Sequence, residues 1–232
     1  MIDTFGQLHL PQTAPQEASD VFVWAESTPN IILVLVSTAL VLIVLKDYFR
    51  LFPTLLSCFL KTRPNIELEK NFHSSATRSI CSAAFLLPFI LMVDRFRLYS
   101  PSLLGKVAPG WSVAAIFGVV VAFLFLRFVF YPIRPNELRG DESKAAHCFL
   151  FTCFAVMVPV MLLSLGGMLV FNVEETVIRY VLLGEIALFY FISIVRTGLF
   201  LGIQCSALGT ISYLCALEII PAVLVVISDM KL

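Results

Sequence analysis

Charge is scarce in this sequence. Lys, Arg, Asp and Glu make up 14% of its 232 residues and cancel, 16 against 16, where a soluble globular domain carries about 25%. The deficit excludes a solvated exterior over most of the chain, and the zero balance excludes a basic field for nucleic acid. Histidine is rarer still: His9, His73 and His147 lie far apart without a ligand-spaced partner, so no metal is expected. The six cysteines, Cys58, Cys81, Cys148, Cys153, Cys205 and Cys215, contain no C-x-x-C pair and sit in or beside apolar stretches. They read as small buried packers. There is no P-loop, no G-x-S-x-G elbow and no H-E-x-x-H helix, so no cofactor is expected and the reading leans away from an enzyme.

Residues 1–30 contain no Lys or Arg and no apolar core before Ile31, which does not fit a signal peptide. Asp3, Glu17, Asp20 and Glu26 stand there among Gln, Thr, Ser and Pro. Residues 1–28 therefore read as a disordered acidic tail, and 29–232 as one transmembrane helical domain.

What is abundant is apolar surface: 59% of residues are hydrophobic and the mean hydropathy is +0.93. A spanning helix needs about 20 predominantly apolar residues. Six stretches approach that length. The first runs from Ile31 to Leu45, with Ser27-Thr28-Pro29 as its cap and first turn, and snorkelling Lys46 and Arg50 extend it to Phe52. The second, Ile80 to Val93, is short and contains Pro88. The others are Trp111 to Tyr131, Ala145 to Phe171, Val177 to Val195 and Leu208 to Ile227. The expected fold is all-α, a polytopic transmembrane bundle of six spans, or five if the second fails. Between Tyr48 and Leu60 apolar residues recur at three- and four-residue spacing beside basic ones, which predicts a short interfacial amphipathic helix, with Pro53 as a bend before it. Thr62 to Thr77 reads as a polar loop. Gly166-Gly167 would admit close helix contact.

Lys46, Arg50, Lys61, Arg63, Lys70 and Arg78 follow the first span, opposite a tail without basic residues. The positive-inside rule puts the N-terminus outside.

Ionisable groups at bilayer depth are costly and mark functional sites by default. Glu185 and Glu218 stand near the centres of consecutive antiparallel spans, so they meet if those helices are neighbours. Arg127, inside the final turns of the third span, is the candidate partner for either. Pro221 cannot donate to the Leu217 carbonyl and weakens the helix beside Glu218. Glu218, Glu185, Arg127 and Pro221 form the candidate intramembrane polar site. It could relay a proton or hold a cation, or its glutamates could simply hydrogen-bond neighbouring helices.

Glu174-Glu175-Thr176-Val177-Ile178-Arg179 resembles the EExxxR motif of CAAX-type intramembrane proteases. Those enzymes need later histidines, and none follows His147; Glu175 and Arg179 read as an ordinary i, i+4 ion pair. The run Tyr213-Leu214-Cys215-Ala216-Leu217-Glu218-Ile219-Ile220-Pro221 resembles the ending, roughly L-Y-L-C-T-L-E-I-L-P, of an uncharacterised integral-membrane family of Bacteroidota, a domain of unknown function. Length, multi-span layout and the terminal Lys231-Leu232 are similar. The resemblance implies a multi-pass protein of a Gram-negative inner (cytoplasmic) membrane and brings no activity, substrate or cofactor. The function expected is a non-enzymatic accessory or assembly component of an envelope complex. Its contacts are the lipid bilayer and a membrane-protein partner or second copy. The alternative is a small proton- or ion-coupled transporter using Glu218 and Glu185.

Overall fold

A computed structural model describes residues 24, 27–60, 63–99, 111–130 and 141–202, with 214, 215, 219, 220 and 223 singly. The described elements are all helical: α1 (Thr28–Leu60), α2 (Arg63–Lys70), α3 (Phe72–Arg95), α4 (Ser112–Phe130), α5 (Asp141–Val170) and α6 (Glu175–Gly202). Four of them, α1, α3, α5 and α6, are long and apolar enough to cross a membrane, and α4 is a shorter apolar helix. The chain is a helical membrane protein, in which each spanning helix satisfies its own backbone groups. The sixth expected span, Leu208 to Ile227, and the acidic tail lie outside the described residues but for single positions.

The second expected span, the short one, is the centre of the bundle. Helix α3 starts eight residues before Ile80, at Phe72, because Asn71 caps it: the Asn71 Oδ1 accepts from the His73 and Ser74 amides at 3.2 and 3.4 Å. The residues read as a polar loop, Thr62 to Thr77, are thus mostly helical, forming α2 and the first turns of α3. Thr77 and Ser79 return their hydroxyls to the carbonyls of His73 and Ser75, which lets polar side chains ride on a helix. Of α3's most apolar window 56% is buried, against 17% for α1 and for α6. Helix α3 packs on α1, α5, α4 and α2, and α6 packs on α5.

Helix α1 buries a narrow seam. Asn30, Ser37, Val44, Leu51 and Cys58 recur every seven residues, joined in the second half by Tyr48 and Leu55. That 3.5-residue period is the knobs-into-holes pattern of two long helices, here α1 against α3. Tyr48 meets Phe85 edge-on, with ring centroids 5.1 Å apart. Lipid tails are as apolar as these side chains, so shape complementarity and dispersion hold the seam more than the hydrophobic effect does.

The segment expected as a separate amphipathic helix is continuous with the first span. Helix α1 passes through Pro53 without a break and ends at Leu60. Of the periodic apolar residues Phe49, Phe52, Leu55, Leu56 and Phe59, Leu55 is buried against the protein, Phe52 and Phe59 are partly buried, and Phe49 and Leu56 remain exposed.

Helices α3 and α5 end in the same way. Beyond α3, the Leu98 amide donates to the Val93 carbonyl at 3.0 Å and the Arg97 amide to Asp94 at 3.2 Å, with Arg97 at φ 47°. Beyond α5, the Val173 amide donates to Met168 at 3.0 Å and the Asn172 amide to Leu169 at 3.2 Å, with Asn172 at φ 51°. Both are Schellman caps in which a residue other than glycine takes the left-handed position. The second cap makes α5 and α6 a tight antiparallel hairpin. Gly166 and Gly167, expected at a helix contact, have no atom of a neighbouring element within 4 Å of where a side chain would begin. They lie on the open side of α5.

Candidate functional site

The polar contacts between the described helices gather in four places. The first contains Glu185, which stands on the face of α6 that buries Ile178, Leu182, Ser193 and Thr197, so its side chain is aimed at α5. There Ser164 Oγ lies 3.1 Å from Glu185 Oε2 and 3.0 Å from the Met161 carbonyl. A hydroxyl carries one hydrogen. An ionised Glu185 takes it; a neutral Glu185 donates to Ser164, which passes its own hydrogen to Met161. The pair fits both protonation states and ties α5 to α6 in either.

The second place was not visible in the sequence. Glu69 on α2 and Arg78 on α3 form an ion pair whose side chains are 10% and 4% exposed. Arg78 and, farther off, Arg127 lie within electrostatic reach of the Cys148 thiol of α5. Asn65, itself buried, donates from Nδ2 to the Cys58 carbonyl at 3.1 Å and fastens α2 to the end of α1. One turn along α3, Ser82 Oγ is 3.0 Å from the Phe151 carbonyl of α5. Four helices converge on this charged junction. Its only sequence trace is an Arg at the start of an apolar run, because Glu69 and Arg78 belong to different helices and share no face periodicity.

At the opposite end of α3, the Trp24 indole donates from Nε1 to Asp94 Oδ2 at 2.7 Å, and Asn30 Nδ2 donates to the Trp24 carbonyl at 3.1 Å. Arg95 lies over the Trp24 and Phe96 rings at 5.8 and 5.4 Å from their centroids. It also pairs with Glu175, at the start of α6, at 2.9 Å. Glu175 therefore pairs with a residue of another helix, not with the expected Arg179. Cation–π contact fixes the guanidinium where the carboxylate meets it.

The fourth place is the meeting of α6 with the end of α1, where Arg196 donates to the Phe59 carbonyl. Arg196, Phe59, Phe191, Ile192 and Val195 line a groove of about 310 Å³ there.

Of the four residues predicted as an intramembrane site, Glu218 and Pro221 lie outside the described residues. Glu185 is brought to Ser164, and Arg127 is carried on α4 to the neighbourhood of Cys148. Arg196, too distant along α6 to meet Glu185, finds a backbone carbonyl instead. Among the described cysteines, Cys58, Cys81 and Cys153 are buried, as expected of packers, while Cys148 is half-buried and Cys215 exposed. No group of three or more His, Cys, Asp or Glu among the described residues is placed to hold a metal ion. Chemically, the polar groups of these four places are paired with one another or bonded to backbone across helices, whereas the buried Tyr48, Thr152, Ser193 and Thr197 hydroxyls have no hydrogen-bond partner among the described residues.

Compared with known proteins, the chain matches no family model, no curated protein and no solved structure.

Proposed function

We propose that this protein is a non-enzymatic accessory or assembly component of an inner-membrane or envelope complex, with its N-terminus outside. The observation that carries the reading is a second apolar face on the far half of α1. Helix α1 has 33 residues and is about 50 Å long, against about 30 Å of hydrocarbon. Exposed Lys46, Asp47 and Arg50 mark where it leaves the apolar layer. Beyond them Tyr48, Leu51, Leu55 and Cys58 are spent on α3, yet Phe49 and Leu56 are 64% and 49% exposed. Seven residues apart, they share one helix face. Large apolar side chains at headgroup level, beside charge, suit a docking face for another membrane protein. The hydrogen bonds and ion pairs that run between the helices also support a structural role.

The test is recovery from native membranes after crosslinking and mild solubilisation. A stoichiometric partner should accompany the wild-type chain, and Phe49→Glu with Leu56→Glu should release it while the melting temperature stays within a few degrees. Repeated recovery of the wild-type chain alone would sink the reading.

A further inference from the structure

The groove between α1 and α6 opens sideways, and its walls are those of a lipid site. Phe191 and Val195 are 64% and 43% exposed on the outer side of α6; Phe59 closes the inner wall, standing edge-on to Phe189 with ring centroids 6.0 Å apart. The volume of about 310 Å³ is at the lower end of the range for small-molecule sites, ~300–1,000 Å³. Against this apolar wall stands one cation. Arg196 spends a hydrogen bond on the Phe59 carbonyl, but a guanidinium has five N–H donors. Among the described residues no acidic side chain lines the groove, and the nearest carboxylate on α6 before it, Glu185, is about 16 Å away along the helix axis. Arg196 is absent from the ion pairs among the described residues. A cation in the last turns of a spanning helix, next to a lateral apolar groove, lacks an anion that arrives with an apolar tail.

We infer that this groove binds a phospholipid with an acidic headgroup, the phosphate meeting Arg196 at the level of Phe59 and one acyl chain running from there against Val195, Ile192 and Phe191. The acidic headgroup is what charge complementarity selects, since a zwitterionic one brings no net charge to offset the arginine. The site requires only that the chain is a membrane protein and stands independently of any docking at Phe49 and Leu56. A lipid there bridges the end of α1 to α6, which the described packing otherwise joins mainly through Arg196 and the ring of Phe59.

Native mass spectrometry of the purified full-length chain tests this, with phosphatidylglycerol and phosphatidylcholine of matched acyl chains added in parallel. Phosphatidylglycerol should be retained about fivefold more strongly, the preference one basic residue gives at a membrane surface. Arg196→Gln should equalise the two lipids, and Arg196→Lys should restore the preference. Equal retention by the wild-type chain, or a preference that survives in Arg196→Gln, overturns the site. If the glutamine variant fails to fold, Val195→Trp decides. It keeps the outer wall apolar while filling the groove, and should lower retention of both lipids; unchanged retention overturns the inference, as does a second copy of the chain occupying the groove in place of lipid.

Discussion

Arg78 and Glu69, on helices separated by a single capping residue, form an ion pair enclosed at the convergence of α1, α2, α3 and α5. Two charges so placed are worth little as a pair and much as a liability, because removing one leaves the other buried without its partner. Glu69→Leu or Arg78→Leu alone should destabilise the fold by about 3–5 kcal/mol, and the double leucine variant by far less. Unfolding titrations of the four proteins in mixed micelles give the coupling energy. Additive single costs would show that the two side chains do not depend on each other.

Glu185 and Ser164 give a gentler cycle. Ser164→Ala should cost about 0.6 kcal/mol and at most about 1.7 kcal/mol, the mean and upper end measured for hydrogen bonds between membrane helices. Glu185→Gln retains a carbonyl acceptor and should cost less. The same variant bears on transport. A proton- or ion-dependent flux in proteoliposomes that disappears in Glu185→Gln, with the fold intact, would favour a carrier over an accessory component.

At Asn172 the left-handed backbone makes its own prediction. A β-carbon costs roughly 1–2 kcal/mol in that conformation, and Asn recovers part of the cost by local hydrogen bonding. Asn172→Ala should therefore lower stability by about 1 kcal/mol, while Asn172→Gly is neutral or better. Thermal unfolding of the two variants separates the backbone effect from loss of the side chain, since both remove the amide.

Helix α3 sets the topology. With native cysteines replaced, Phe72→Cys and Arg97→Cys mark exposed positions just inside and just beyond its two ends. Membrane-impermeant reagents should label the first from the cytoplasmic side and the second from outside. Labelling of both from one side would remove α3 from the spans.

The sequence made the spans legible to different degrees. Where an apolar run was long, as in α5, or where Ser27-Thr28-Pro29 announced a start, the element was readable, and the Ile31 amide bonding to the Ser27 carbonyl at 3.2 Å confirms that first turn. Residues 72–79 escaped because their serines and threonines suggest water, though they satisfy themselves on the helix backbone. The periodicity from Tyr48 to Leu60 correctly indicated an apolar face but not what covers it; amphipathicity is blind to whether lipid or protein lies opposite. Glu175 offered a local partner four residues away and took Arg95 instead, a guanidinium already held by two aromatic rings. The candidate site was read through Glu185, whose place on the α5-facing side of α6 depends on a helix phase that sequence depth alone does not supply.

The sequence by itself determined that this chain is a helical membrane protein, because hydrophobic length is a local property and lipid forces backbone hydrogen bonds inward within each segment. Only the tertiary structure decided which polar groups meet. Ser82 and Phe151 are 69 residues apart, Arg95 and Glu175 are 80, and Arg196 and Phe59 are 137. Such pairs follow from which helices are neighbours and how each is rotated about its axis, and those are set by the packing of many apolar side chains at once.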